Sequence, residues 1–156
     1  MQTNSVKPLY FEIQKIETTN TKTMTVTEFI AAQLPERQDL LIKIHILILD
    51  EDKSVDSKIG TMMKQEMILY NSRGTFRYGL ASSKKYMSLH ALPLYVSPHI
   101  HSKYASLLPN AAFQKGCINF NTEAEVPLEI LRMLIADCAK IDLQAIREEQ
   151  LKSRKR

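Results

Sequence analysis

The chain has 156 residues, 44% hydrophobic and 24% charged, the proportions of one water-compatible globular domain with a short appendage. That length excludes two catalytic domains, a repeat array, or a large cofactor fold joined to a substrate domain. The formal charge of +4 arises in the basic tail 152–156, from Lys152, Arg154, Lys155 and Arg156, and residues 1–151 hold 17 charges of each sign. A neutral body lacks the folded basic face on which nucleic-acid affinity depends, so no nucleic-acid partner is expected.

Residues 1–24 are polar and rich in Thr and Asn, and read as an N-terminal appendage. Within it only Leu9–Ile16 has the pattern of a short strand or a helical turn, and no apolar stretch behind a basic segment marks a secretory signal. Thr25-Val26-Thr27-Glu28 has the T-x-x-E form of a capping box and predicts a helix carrying Phe29 and Ile30 on one face. Pro35 suits the first turn of a second helix, where its missing N–H costs nothing. Leu40, Leu41, Ile44, Leu47 and Ile48 form its apolar row, and Asp39 and Lys43 an i,i+4 pair. The stretch Leu40–Leu49 is too short to span a bilayer, which needs roughly 20 apolar residues, so no membrane partner is expected.

From Gly60 to Ala91 the period changes to two. Met67–Tyr70, the turn Asn71–Gly74 and Thr75–Ala81 read as strand, turn and strand. Phe76, Tyr78 and Leu80 are expected on one face, with Arg77, Gly79 and Ala81 opposite. A third strand sets Met87, Leu89 and Ala91 against Tyr86, Ser88 and His90, making an antiparallel meander with one dry and one wet face. Ser97-Pro98 opens a helix with Ile100 and Tyr104 inward, Phe113–Phe120 returns as a strand, and Pro127 begins the strongest helix. A last amphipathic stretch runs from Asp142 to Leu151. Helices, then strands, then helices again predict an α+β fold: an antiparallel sheet of about four to six strands, N- and C-terminal helices on one face, in a single domain over residues 25–151.

No dinucleotide, phosphate-loop, nucleophile-elbow or zincin motif occurs, and four glycines make a phosphate-cradling loop improbable. Cys117 and Cys138 form neither a C-x-x-C pair nor a disulfide framework, and read as thiols of a cytoplasmic protein. Two groups of side chains carry possible chemistry. On the polar face of the meander Arg77, Tyr86, Ser88 and His90, with Cys117 and Asn119 by the same alternation, would converge if their strands are neighbours. Arg77 would then neutralise an anion beside a titrating His90 or a soft Cys117 donor; the alternative is a solvated face with Cys117 as filler. After the second helix Asp50, Glu51, Asp52 and Asp56 supply hard oxygen donors of the kind that hold Fe²⁺, Mn²⁺ or Mg²⁺ loosely. His99 and His101 point apart if helical and share no metal. His45 reads as a core-edge histidine, and Met62, Met63 and Met67 as core filling.

The stretch T-V-T-E-F-I-A-A-Q-L-P-E-R (Thr25–Arg37) resembles the opening of the YdhG-like domains. Y-G-L-A-x-x-K-K-Y-M-S-L-H (Tyr78–His90), L-L-P (Leu107–Pro109) and K-G-C-I-N-F (Lys115–Phe120) before V-P-L-E-I-L (Val126–Leu131) extend the likeness over about residues 25–140. The resemblance implies a compact α/β sandwich, described among its better-understood relatives as a frataxin-like intracellular iron chaperone that binds iron weakly, hands it to an acceptor and catalyses no reaction. It carries no fixed ligand motif onto particular residues. The chain also departs from a frataxin-type acidic ridge, since the first helix offers only Glu28 and Glu36 and the body is neutral. Asp50, Asp52 and Asp56 are then the metal ligands to test. The reading is a non-enzymatic cytoplasmic domain without a resident cofactor, with weak iron binding by resemblance. Its alternatives are a small-anion binder or enzyme using the polar sheet face, and an interaction module that forms a homodimer through a sheet edge or the C-terminal helices.

Overall fold

In a computed structural model, which describes residues 23–154, the Thr25 Oγ1 accepts the Glu28 N–H at 3.1 Å while Glu28 Oε1 accepts the Thr25 N–H at 2.9 Å. This reciprocal cap starts helix α1 (Val26–Ala31). Helix α2 (Pro35–Glu51) follows, with Pro35 in its first turn and the Asp39–Lys43 pair at 2.9 Å. Leu9–Ile16, Lys155 and Arg156 lie outside the described residues.

Six strands come next: β1 (Asp56–Met62), β2 (Gln65–Ser72), β3 (Thr75–Ser82), β4 (Met87–Ala91), β5 (Ala112–Phe113) and β6 (Cys117–Phe120). Helices α3 (Leu92–Val96) and α4 (Pro98–Leu107) separate β4 from β5, and Ser97 caps α4 by accepting the Ile100 N–H. Helices α5 (Leu128–Ala139) and α6 (Leu143–Arg154) end the described chain. All neighbours in the sheet are antiparallel, in the order β1-β2-β3-β4-β6-β5. The expected strand Phe113–Phe120 is in fact two, because Gln114–Gly116 turns the chain back so that β6 lies between β4 and β5.

One core fills the space between sheet and helices. Ile68, Tyr70, Tyr78, Leu80, Leu89, Ile118 and Phe120 from the strands meet Leu41, Ile44 and Ile48 of α2 and Leu131, Leu134, Ile135 and Cys138 of α5. The fold is therefore α+β, with its helices on one face of a six-stranded antiparallel sheet. Two features depart from simple alternation. The β2–β3 register slips between Tyr70 and Asn71: Tyr70 faces Tyr78 and Asn71 faces Phe76, so Arg77 is an extra, bulged residue. Phe76 consequently leaves the side of Tyr78 and Leu80, and joins Met67, Leu69, Ala81 and Met62 in a second apolar cluster. This corrects the expectation that Phe76, Tyr78 and Leu80 share a face. The opposite face is also not wet, since Met67 and Ala81 are fully buried there and Leu69 is 8% exposed.

Candidate functional site

The bulge decides where the charged groups go. Arg77, expected among the polar residues of the open face, is turned by the extra residue to the helix side, where it is 6% exposed. Its Nε donates to Asp52 Oδ2 at 2.8 Å, and its Nη2 donates to the carbonyls of Cys138 and Ile141 at 2.6 and 2.7 Å, the open C-terminal end of α5. A cation at a helix C-terminus meets the negative end of the dipole and adds a donor to the carbonyls exposed there. The Tyr78 hydroxyl donates to the same Oδ2 at 2.6 Å, and Ser54 donates its hydroxyl and its N–H to Asp52 Oδ1 at 2.6 and 3.1 Å. Burial pushes the Asp52 carboxyl up, but the hydrogen bonds from Ser54 and Tyr78 and the Arg77 charge outweigh it and hold the group below its ordinary value.

Asp52 is therefore the hub of a brace between α2, β3 and α5, with both oxygens engaged. Asp50 and Asp56 are exposed at the end of α2 and the start of β1. Among the described residues no three His, Cys, Asp or Glu side chains gather as a metal would require. The donor set expected at Asp50, Asp52 and Asp56 does not fit iron, because its central member faces inward and is already filled.

The rest of the predicted polar face does come together. Strand register places Ser88 opposite Asn119 and His90 opposite Cys117, on the side away from the helices. Ser88 donates to Asn119 Oδ1 at 2.6 Å, and both are nearly buried, at 6% and 8% exposure. The Cys117 thiol donates to Gln114 Oε1 at 3.2 Å, and burial pushes its pKa up. Burial also pushes His90 down, and its Nε2 is buried without a hydrogen-bond partner. Tyr86 stands just outside the group, its backbone closing the β3–β4 turn with Ser83. Neutral imidazole beside protonated thiol is the opposite of the thiolate–imidazolium pair that a cysteine nucleophile needs.

A second brace carries a residue that sequence reasoning passed over. Arg37, in the first turn of α2, is 6% exposed. It donates to Ser82 Oγ at 2.8 Å, to the Ser83 carbonyl and to Asn121 Oδ1, tying α2 to the β3–β4 turn and the end of β6. Its signal was positional: a long cation three residues before the buried Leu40 lies on the helix's inward side.

His45, on α2, reaches Tyr70 OH at 2.7 Å and, like His90, is pushed down by burial. Both stay neutral in the fold at pH values where the unfolded chain takes up protons. Their contribution is complete above the ordinary histidine value of about 6.5 and is lost as the pH falls from there through the folded values. The melting temperature is expected to drop between pH 7 and 5. The slope should be shallower in His45→Gln/His90→Gln; an equal slope in both proteins would remove the two histidines as its source.

The architecture is that of a small α+β domain with a six-stranded antiparallel sheet roofed on one side. In three dimensions it is similar to the crystal structure of a Bacillus subtilis protein of the DUF1801 family, YdhG, with a TM-score of 0.53 and 17% sequence identity over 70% of this chain and 83% of that one. The fold is thus YdhG-like. No protein-family model and no curated protein sequence matches the chain.

Proposed function

We propose that this chain is a non-catalytic domain of the YdhG-like fold that works in the cytoplasm and holds neither a small anion nor iron. The observation that carries this reading is where the one cation of the expected constellation has gone. Arg77 is locked to Asp52 at 2.8 Å on the helix side of the sheet, away from Ser88, His90, Cys117 and Asn119. Of the expected constellation, the members left on the other side carry no cation to hold an anion, and Ser88 and Asn119 satisfy each other. A reducing compartment agrees with the thiols. Cys117 lies on the face away from the helices and Cys138 among the helix-side core residues, so the sheet separates them and they cannot bridge.

A carrier role for iron, which the family resemblance implies, finds no support in the donor set described above. Melting curves with inorganic phosphate, sulfate, citrate or Fe²⁺ test the reading. A specific ligand at about 100 times its Kd adds about 2.7 kcal/mol to stability, which in a domain of this size moves Tm by several degrees. No such shift is expected. A rise with any of the four that disappears in His90→Ala would replace this reading with small-ligand binding at the sheet, and one with Fe²⁺ that disappears in Asp50→Ala/Asp56→Ala would restore the iron carrier.

A further inference from the structure

Two hairpins of the sheet turn at the same end, because β1 to β4 run antiparallel in chain order. The β1–β2 turn has Met63 and Lys64 at its apex. The β3–β4 turn, closed by the Ser83 N–H donating to the Tyr86 carbonyl at 2.8 Å, has Lys84 and Lys85. At the usual strand spacing the two apices stand about 10 Å apart. Met63, at 69%, is the most exposed of the large apolar side chains described, and Lys64, Lys84 and Lys85 are all exposed. None of the three lysines joins an ion pair among the described residues. Carboxylates are kept from them: no Asp or Glu occurs from Met67 to Thr122, and Glu66 alternates with Ile68 and Tyr70 toward the helix side. The first apex is also strained. Met63 and Lys64 have φ of 52° and 64°, the left-handed pair that a two-residue hairpin normally gives to Asn-Gly. Strain at a turn whose methionine joins neither apolar cluster points to a use outside the fold.

We propose that this end of the sheet docks on an anionic membrane surface, with Met63 entering the headgroup layer and Lys64, Lys84 and Lys85 meeting the lipid charges. A bilayer differs from the compact ions set aside above, because it engages all three lysines at once. Each lysine close to such a surface strengthens binding roughly fivefold, so three together give on the order of a hundredfold. Met63 supplies the apolar part. A thioether on a convex apex enters the boundary beneath the headgroups without needing a shape-matched pocket. A nucleic acid offers the charge without that layer, and would leave Met63 in water. Tyr86, half-buried at the base of the second turn, has the amphipathic ring that settles at headgroup level. Docking of this kind is peripheral, needs no spanning segment and weakens with salt.

Sedimentation with vesicles tests this. At low salt the full chain is expected to sediment with vesicles of equal parts phosphatidylcholine and phosphatidylserine, and not with phosphatidylcholine alone. Lys84→Glu/Lys85→Glu should weaken binding at least about twentyfold. Met63→Asn puts a residue suited to the left-handed region at the apex, so the melting temperature should hold or rise. Vesicle binding should nevertheless fall at least about threefold, because the apolar contact is gone. No sedimentation of the full chain would overturn the proposal. Binding unchanged in both variants, and so belonging to the basic tail 152–156, would do the same. A loss with the lysine variant but not with Met63→Asn would also overturn it, assigning the patch to a polyanion such as RNA.

Discussion

Arg77→Ala is expected to lower the free energy of unfolding by about 3–5 kcal/mol, the usual result of removing one partner of a buried ion pair. Asp52, 2% exposed, would keep its Ser54 and Tyr78 donors and lose its counter-charge. The carbonyls of Cys138 and Ile141 would lose the Arg77 donor in the same step, Cys138 keeping the Ile141 N–H. Against a typical total of 5–15 kcal/mol, this is enough to leave the domain marginal. Asp52→Ala should cost a similar amount, stranding the Arg77 guanidinium and the Tyr78 hydroxyl. Because the two residues share one network, the double variant should be more stable than the sum of the single losses predicts. Chemical denaturation at pH 7 measures all three, and a loss under 1 kcal/mol for Arg77→Ala would show that this pair does not brace the fold.

The same brace has a pH signature. A carboxylate held below its unfolded value contributes stability that is present above that value and lost as the pH falls through the folded one. In the parent protein this loss belongs to strongly acidic solution. In Arg77→Ala the charge that helps hold Asp52 down is gone, so acid unfolding should begin at a higher pH. The histidine contribution lies nearer neutrality, and a titration of stability therefore separates the two.

Local signals were read from the chain well where a side chain meets its own backbone. Thr25 and Glu28, Pro35, and Ser97 with Pro98 each start a helix where their chemistry requires it. The alternation Ser88, His90 and Cys117, Asn119 also placed those residues on one face correctly, because β4 and β6 pair without interruption. Arg77 went wrong for a reason alternation cannot contain: a bulge inserts one residue without any mark in the sequence, and it exchanges the faces on either side. The β1–β2 hairpin was similarly hidden. Its turn residues, Met63 and Lys64, have φ of 52° and 64°, left-handed values normally announced by Gly or Asn. The turn at Arg73 and Gly74 does carry the expected glycine, and was read as a turn. The dry outer face was illegible because Gly, Ala, Ser and His there read as a solvated surface, whereas Met67, Leu69 and Ala81 pack there as a second apolar cluster.

Leu89→Ala, by contrast, removes a side chain that no local signal distinguishes from any other strand leucine, and it should cost about 2–5 kcal/mol. Leu89 is fully buried on the inner face of β4, paired with Leu80 on one side and Ile118 on the other. Strands flank it and helices roof it, so the surroundings have little freedom to close the space left behind, which places the loss in the upper part of that range. Leu151→Ala is the matched control. The same atoms are removed from α6, where Leu151 is 48% exposed, and the change should stay within about 0.5 kcal/mol. Denaturation midpoints at unchanged slope would give both values. Equal losses would contradict the assignment of β4 to the centre of the sheet, because a leucine in the middle strands of a roofed sheet and one on an exposed terminal helix cannot have the same cavity to leave.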